Sequence, residues 1–351
     1  MKSTIERRVT GLTHCNVNFS AGGYTLFAPQ TGDGKVVLID IKGNVVHEWK
    51  MPVRPGRDAV ILPNGNLGYN GSHFNPHISV KLYPAWDIWH GGHFMEATPD
   101  GDIVWEYEDP YHHHDAQWLE NGNILYCAAT ETPDDVFVHK PSNYTDVIKE
   151  VNRKGEVVWE ANVYDFIDID DYPIHECFNN DHWPMVNGVL EDDGIIYLSL
   201  RTCSGIIGIE KSTKELIFEL KYPLVAQQHC PVITDKGILC FDNGNIRPKS
   251  IHHSRAIEYD VNTKEVIWSY VDDMPAAFFS PYMGSVQRLW NGNTFICESA
   301  YGRLFEVTPE GEVVWEYVIP EFNEYPKPLN NFITGEHNSC FKAHRYKNFP
   351  T

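Results

Sequence analysis

Apolar and polar positions alternate along this chain in short runs of five to seven residues, broken at nearly regular intervals by Gly, Asn, Asp and Pro. That period of two, with Val, Ile, Tyr and Trp prominent, predicts β-strands separated by tight turns. One element recurs six times: GNVVHEW (Gly43–Trp49), GDIVWEY (Gly101–Tyr107), GEVVWEA (Gly155–Ala161), GEVVWEY (Gly311–Tyr317), and the weaker TKELIFEL (Thr213–Leu220) and TKEVIWSY (Thr263–Tyr270). A second element, a turn leading into an apolar strand, alternates with it: GGYTLFA, NGNLGY, NGNILYC, DDGIIYL, DKGILCF and NGNTFIC. Asn-Gly between apolar runs is a strong hairpin signal, because both residues tolerate positive φ. A third strand lies between the two elements, and a fourth precedes most of the NGN turns, as in Asp58–Leu62 and His114–Leu119.

Six repeats of four strands predict an all-β chain folded as one six-bladed β-propeller over residues 1–351. The first blade starts at its second strand, Gly22–Ala28, so its innermost strand has to come from elsewhere. His337–Tyr346 is the first candidate, closing the ring by pairing the two ends of the chain, and His14–Asn18 is the competitor. The Trp of each Gly-Val-Val-Trp element is expected to pack between neighbouring blades.

In a propeller the innermost strands line a central channel, and their first residues ring one mouth of it. The repeat places Asp58, His113-His114-Asp115, the His182–Asn187 stretch, Gln228-His229, Tyr282–Ser285 and His337 on that ring. One strand-end histidine is ordinarily structural, but histidines at matching points of several blades converge. Two longer excursions, Gly71–Phe94 and Asn245–Arg255, carry paired histidines and are candidate lids. The His90-Gly-Gly-His93 spacing alone is a weak metal signal.

Composition narrows the partners. The 351 residues carry 28 basic against 48 acidic side chains, a net charge of -20, which excludes nucleic acid and anionic membrane as expected partners. A local group of His and Arg still suits a small anionic substrate. The eight cysteines form no CxxC pair and no disulfide framework. MKSTIERRVTGL lacks the apolar core of a secretory leader, and no apolar run is long enough to span a bilayer, so a cytoplasmic location is expected.

QHCPVITDKGILCFDNGN followed by SRAIEYD, together with HHDAQWLENGN, LSLR and NGNTFICESAYGRLFEV, resembles the bacterial arylsulfate sulfotransferase family over most of Gly22–Arg345. The resemblance implies a six-bladed propeller that moves a sulfuryl group between phenols through a sulfated histidine, with an anionic aromatic substrate. It implies His229 as the nucleophile, Arg201 and His113 or His114 as the groups on the sulfate oxygens, and His114 as general acid. His182, Asp58, Arg255 and His337 are further candidates for substrate contact. The family's His-x-Asn-Ser segment falls on Met185-Val186-Asn187-Gly188, and the aspartate after its Gln-His is Cys230. On this reading no metal or other cofactor is needed. A second reading takes His114, His229 and His337 as ligands of a transition metal in a lyase, hydrolase or oxidoreductase. A third is a propeller that binds without catalysis.

Overall fold

The computed structural model describes residues 9–73, 90–134, 142–325, 327, 329–331 and 333–349. After a first strand β1 (Gly11–Cys15), blade 1 supplies β2 (Tyr24–Pro29), β3 (Lys35–Asp40) and β4 (Val45–Lys50). Blade 2 is β5 (Pro55–Ile61), β6 (Leu67–Ser72), β7 (Gly92–Ala97) and β8 (Ile103–Glu108). Blade 3 is β9 (His112–Trp118), β10 (Ile124–Glu131), β11 (Tyr144–Val151) and β12 (Val157–Asn162). Blade 4 is β13 (Val186–Asp192), β14 (Ile195–Leu200), β15 (Gly205–Glu210) and β16 (Glu215–Lys221). Blade 5 is β17 (His229–Ile233), β18 (Ile238–Asp242), β19 (Arg255–Tyr259) and β20 (Val266–Tyr270). Blade 6 is β21 (Ser285–Arg288), β22 (Thr294–Glu298), β23 (Arg303–Val307) and β24 (Val313–Val318). A two-residue hairpin, β25 (Asn323–Glu324) with β26 (Glu336–His337), precedes the last strand, β27 (Cys340–Tyr346).

Each blade is an antiparallel meander, and β27 pairs with β2 to complete blade 1. Contacts between neighbouring inner strands run round the whole ring, β27 to β5, β9, β13, β17, β21 and back to β27. The fold is a six-bladed β-propeller closed by the C-terminal strand. The N-terminal competitor takes a different place: β1 adds a fifth strand outside blade 6, Gly11 opposite Val318 and Cys15 opposite Trp315. Its effect is visible at Val314, which is 0% exposed, whereas the matching residues of the other blades range from 42% (Ile267) to 55% (Val104). His337 is also displaced from its expected place, since the hairpin pairs it with Asn323 before the inner strand begins.

The recurring residues have recurring jobs. Gly65, Gly122 and Gly292 of the three NGN turns all have φ between 84° and 88°, where a side chain would be strained. Asparagines of these turns donate to a glutamate of their own third strand, Glu96, Glu150 or Glu306. The tryptophans tie blade to blade. Trp105 donates to Arg153 O (2.8 Å), Trp159 to Lys211 O (3.0 Å), Trp268 to Pro309 O (2.8 Å) and Trp315 to Ile41 O (2.8 Å), each in the next blade. In blade 1 His47 stands at the Trp position and bonds Pro99 O, and in blade 4 Phe218 stands there. Trp315 is fully buried beneath β1, and Trp268 stays partly exposed. Trp315→Ala should therefore cost about 3–5 kcal/mol of stability, and Trp268→Ala clearly less. Urea unfolding of the two variants checks the order.

Candidate functional site

Inner strands approach the channel mouth through irregular backbone. The pairing register slips between Pro55 and Ala59 on β5, between Val186 and Gly188 on β13, and between His229 and Val232 on β17. His114, Met185, Cys230 and Met283, at or near the start of four inner strands, all have φ between 51° and 57°. Non-glycine residues enter that left-handed region at a cost, and bulges of this kind re-aim side chains. Their repetition brings consecutive residues of one strand to the same mouth.

His229 opens β17 and is 2% exposed. Its Nδ1 lies 2.7 Å from Asn243 Oδ1. Asn243 donates both N–H groups of its amide, to Ser280 O at 2.8 Å and Met283 O at 2.7 Å, so only its oxygen faces the ring. His229 must then carry its proton on Nδ1, and Nε2 keeps the lone pair. The strand end is held by Gln228, whose amide nitrogen donates to Ser199 Oγ (2.9 Å) and Gly205 O (2.6 Å) of blade 4. Its own carbonyl accepts from Asn187 Nδ2 (2.8 Å). Burial first, then the positive charge of Arg201 and of Arg57, pulls the His229 pKa down to about 3. The ring is neutral at physiological pH.

Arg201 directly follows β14 and lies with its guanidinium carbon 4.9 Å from the Phe178 ring centre. Arg57 is completely buried on β5, 5.0 Å from the centre of Phe341. The charges of Arg57 and Arg201 also push down the pKa of His114, behind burial as the main cause. Two guanidinium groups and two neutral imidazoles thus share one small region of an otherwise acidic protein.

Beneath His114 runs a hydrogen-bonded file. His114 Nδ1 is 2.8 Å from His113 Nδ1, and His113 Nε2 is 2.8 Å from Asp146 Oδ1. The same oxygen takes His182 Nε2 at 2.9 Å, while Asp146 Oδ2 accepts from Val186 N at 3.1 Å. His113, Asp146 and His182 are all within 1% of complete burial. Burial would raise the Asp146 pKa, but the two histidines and their bonds outweigh it and hold the carboxyl ionised.

The other expected site residues have distinct places. Asp58 is bound by His344 Nε2 at 2.8 Å. Lys342 Nζ reaches across the channel from blade 1 to both oxygens of Asp115 in blade 3, at 2.7 and 2.8 Å. These pairs occupy the channel and leave little for Asp58 to offer an anion. Arg255 turns to Asp242 Oδ2 (2.7 Å) and Leu224 O (2.7 Å), because β19 begins beside them, and so is committed away from His229. His337 is bonded to Thr334 O and packs on Tyr325 in the hairpin, not against His114 or His229. His90 and His93 diverge, to His73 O and to Glu106, so they form no ligand pair. Residues 74–89 of the first candidate lid lie outside the described residues.

Among the described residues, the histidine, cysteine and carboxylate groups whose ligand atoms converge within 4.8 Å are His113, Asp146 and His182. A transition metal would fit that trio by replacing the two N–H hydrogens on Asp146, rather than the expected His114, His229 and His337. No local sequence pattern marks Arg57 or Asp146 as site residues. Arg57 sits beside Asp58 on a strand whose bulge changes which side faces the channel. Asn243 lies inside the FDNGN motif, its one sequence signal.

Residues 96–224 and 219–336 match the family model described as arylsulfotransferase (ASST), and the chain belongs to that family. No curated protein matches it significantly. Among solved structures it is similar to a protein of unknown function from Bacteroides caccae, at 15% identity over 84% of this chain and 93% of that one, with a TM-score of 0.55. It is also similar to a streptogramin B lyase, at 14% identity over 89% and 83%, with a TM-score of 0.50. At those identities the likeness speaks for the fold alone. Among the described residues no helix is long and apolar enough to cross a membrane.

Proposed function

We propose that this protein transfers a sulfuryl group from an aryl sulfate to a phenolic acceptor, with His229 Nε2 carrying the group between two half-reactions. The observation that supports this most directly is the Asn243 clamp. It commits the Nδ1 proton of His229 to an oxygen and leaves the lone pair on Nε2. In the first half-reaction Nε2 attacks sulfur, the S–O bond breaks, and the phenolate leaves. In the second, the acceptor oxygen attacks, the S–N bond breaks, and its electrons return to Nε2. Arg201 and Arg57 face the sulfate oxygens, where planar donor forks suit a tetrahedral oxyanion. Each such donor is worth on the order of 3 kcal/mol in the transition state. Arg57 supplies the interaction that the family's histidine would make at Met185. His114 serves the phenolic oxygen as acid and base.

Incubation with 4-nitrophenyl sulfate in the absence of acceptor should add one sulfuryl group to the intact mass. The rate of that step should stay flat from about pH 8 down to about pH 5. The sign follows from a lowered histidine pKa: the reactive neutral form dominates above it and is lost only as pH falls toward about 3. A mass unchanged by any aryl sulfate would end this reading.

The His113, Asp146 and His182 trio favours a second reading, a metal-dependent hydrolase or lyase. Elemental analysis separates them: a stoichiometric transition metal, with aryl sulfates inert, would replace the first reading with the second.

A further inference from the structure

We infer that Cys297 and Cys340 are a redox modification site: a low-molecular-weight disulfide joins them while the chain folds, and the bond pins the closing strand β27 to blade 6. The inference is independent of the sulfuryl-transfer reading.

Sequence separation hides the pair. Cys297 lies in β22, the second strand of blade 6, and Cys340 opens β27, 43 residues later. Both are fully buried in one apolar cluster, with Leu304, Trp315 and Ala343. Their sulfurs stand 3.4 Å apart. A contact that close requires the two side chains to point at each other, and a covalent S–S bond of about 2 Å needs only a small further approach. Ser299 steadies the seam: its hydroxyl donates to Phe341 O at 2.8 Å and lies 3.2 Å from Cys297 Sγ.

The position gives the bond its effect. β27 follows blade 6 in the chain but has to pair with β2 to complete blade 1. A link from its first residue to β22 closes the loop between the two cysteines in the unfolded chain and shortens the search of a free C-terminal strand. The residues just after Cys340 serve the channel. Phe341 lies 5.0 Å from the Arg57 guanidinium carbon, and Lys342 Nζ reaches both oxygens of Asp115. Pinning Cys340 holds both residues where they act.

Burial sets the order of events. In the folded chain the Cys297 sulfur beside it, and then burial, push the Cys340 thiol pKa up, and thiols without thiolate character exchange slowly. The bond therefore forms before β27 docks. A thiolate of one cysteine attacks the small disulfide and releases one of its halves. The thiolate of the second cysteine attacks the mixed disulfide and releases the other half. Two cysteine thiols are oxidised, the small disulfide is reduced to two thiols, and these take up the two protons. Docking of β27 then shields the bond from reductants.

The test refolds the full chain from urea in reduced or in oxidised glutathione, then blocks thiols with N-ethylmaleimide in denaturant. The reduced sample should carry eight adducts by intact mass, one per cysteine. The oxidised sample should carry six, with Cys297 and Cys340 linked in the peptide map. Glutathione held on the exposed Cys177 adds its own mass and is counted apart. The linked protein should melt about 5 °C higher. Cys340→Ala should carry seven adducts from both buffers and show one melting temperature, and Cys297→Ala should do the same. Translation in vitro in the two buffers gives the same count where refolding from urea fails. Eight adducts from the oxidised sample, or six with the link elsewhere, would overturn the site. A mapped link without a rise in melting temperature would overturn the pinning of β27. Linking of the folded, reduced protein as fast as during refolding would overturn the order of events.

Discussion

His229→Ala should abolish aryl sulfotransfer, lowering turnover of 4-nitrophenyl sulfate by at least about a thousandfold and removing the sulfuryl adduct altogether. A nucleophile that forms a covalent intermediate has no partial substitute, because the two-step path disappears with it. The arginines and His114 would still bind the donor and stabilise direct attack by an acceptor, which sets any residual rate. The fold should survive. The ring makes its identified side-chain hydrogen bond to Asn243, whose amide nitrogen remains tied to Ser280 O and Met283 O, and Gln228 still anchors the strand to blade 4. The cost is the Asn243 oxygen without its donor and the loss of the ring's bond to the Gln227 backbone, on the order of 1–3 kcal/mol for each. Steady-state kinetics, circular dichroism and intact mass on the same sample decide the matter. Wild-type kinetics should be ping-pong. A variant that folds and still turns over within tenfold of wild type would remove His229 from the chemistry.

The blades were legible because each repeats the same few requirements. An NGN turn needs positive φ, an outer strand needs its Trp to reach the next blade, and both are local patterns. The closing strand was legible for a different reason: blade 1 lacked an inner strand, and the C-terminal segment had the right composition. Strand β1 was not, since GLTHC carries no strong alternation and its pairing with Val313–Val318 depends on an outer edge some 300 residues away. The repeat marks the first residues of inner strands as the places where side chains converge on the channel. It singled out His113, His114 and His229, whose rings lie close together in the fold. It misplaced His337, which a short hairpin takes out of the channel. It passed over Asp146, which reaches His113 from the third strand of its blade, and Lys342, which crosses the channel to Asp115. Convergence of that kind is set by side-chain reach and bulges, and a single sequence records neither. Arg57 shows the same limit most plainly. Strict alternation on β5 would point Arg57 and Asp58 to opposite sides, but the slipped register between Pro55 and Ala59 breaks the alternation.

Substitutions of Arg201 should separate charge from geometry. Arg201→Lys keeps the positive charge and loses the planar fork, and should lower kcat/KM by about a hundredfold to a thousandfold, mostly in kcat. The loss falls on kcat because the three sulfuryl oxygens gain charge and flatten only as the S–O bond opens, so the fork is matched to that state more than to bound substrate. Arg201→Met removes both fork and charge and should be slower still. It should also alter the pH profile. The Arg201 charge holds down the pKa of His229, so its removal raises that pKa, and the acid-side fall in the sulfation rate moves to higher pH. Arg201→Lys should leave that limb near its wild-type position. The limb should stay well below the ordinary histidine range even in Arg201→Met, because burial is the larger cause and Arg57 remains. An Arg201→Lys protein as active as wild type would refute the fork. An Arg201→Met protein with an unmoved acid limb would show that the cation governing His229 lies elsewhere, and Arg57→Met, read in the same assay, would be the variant to identify it.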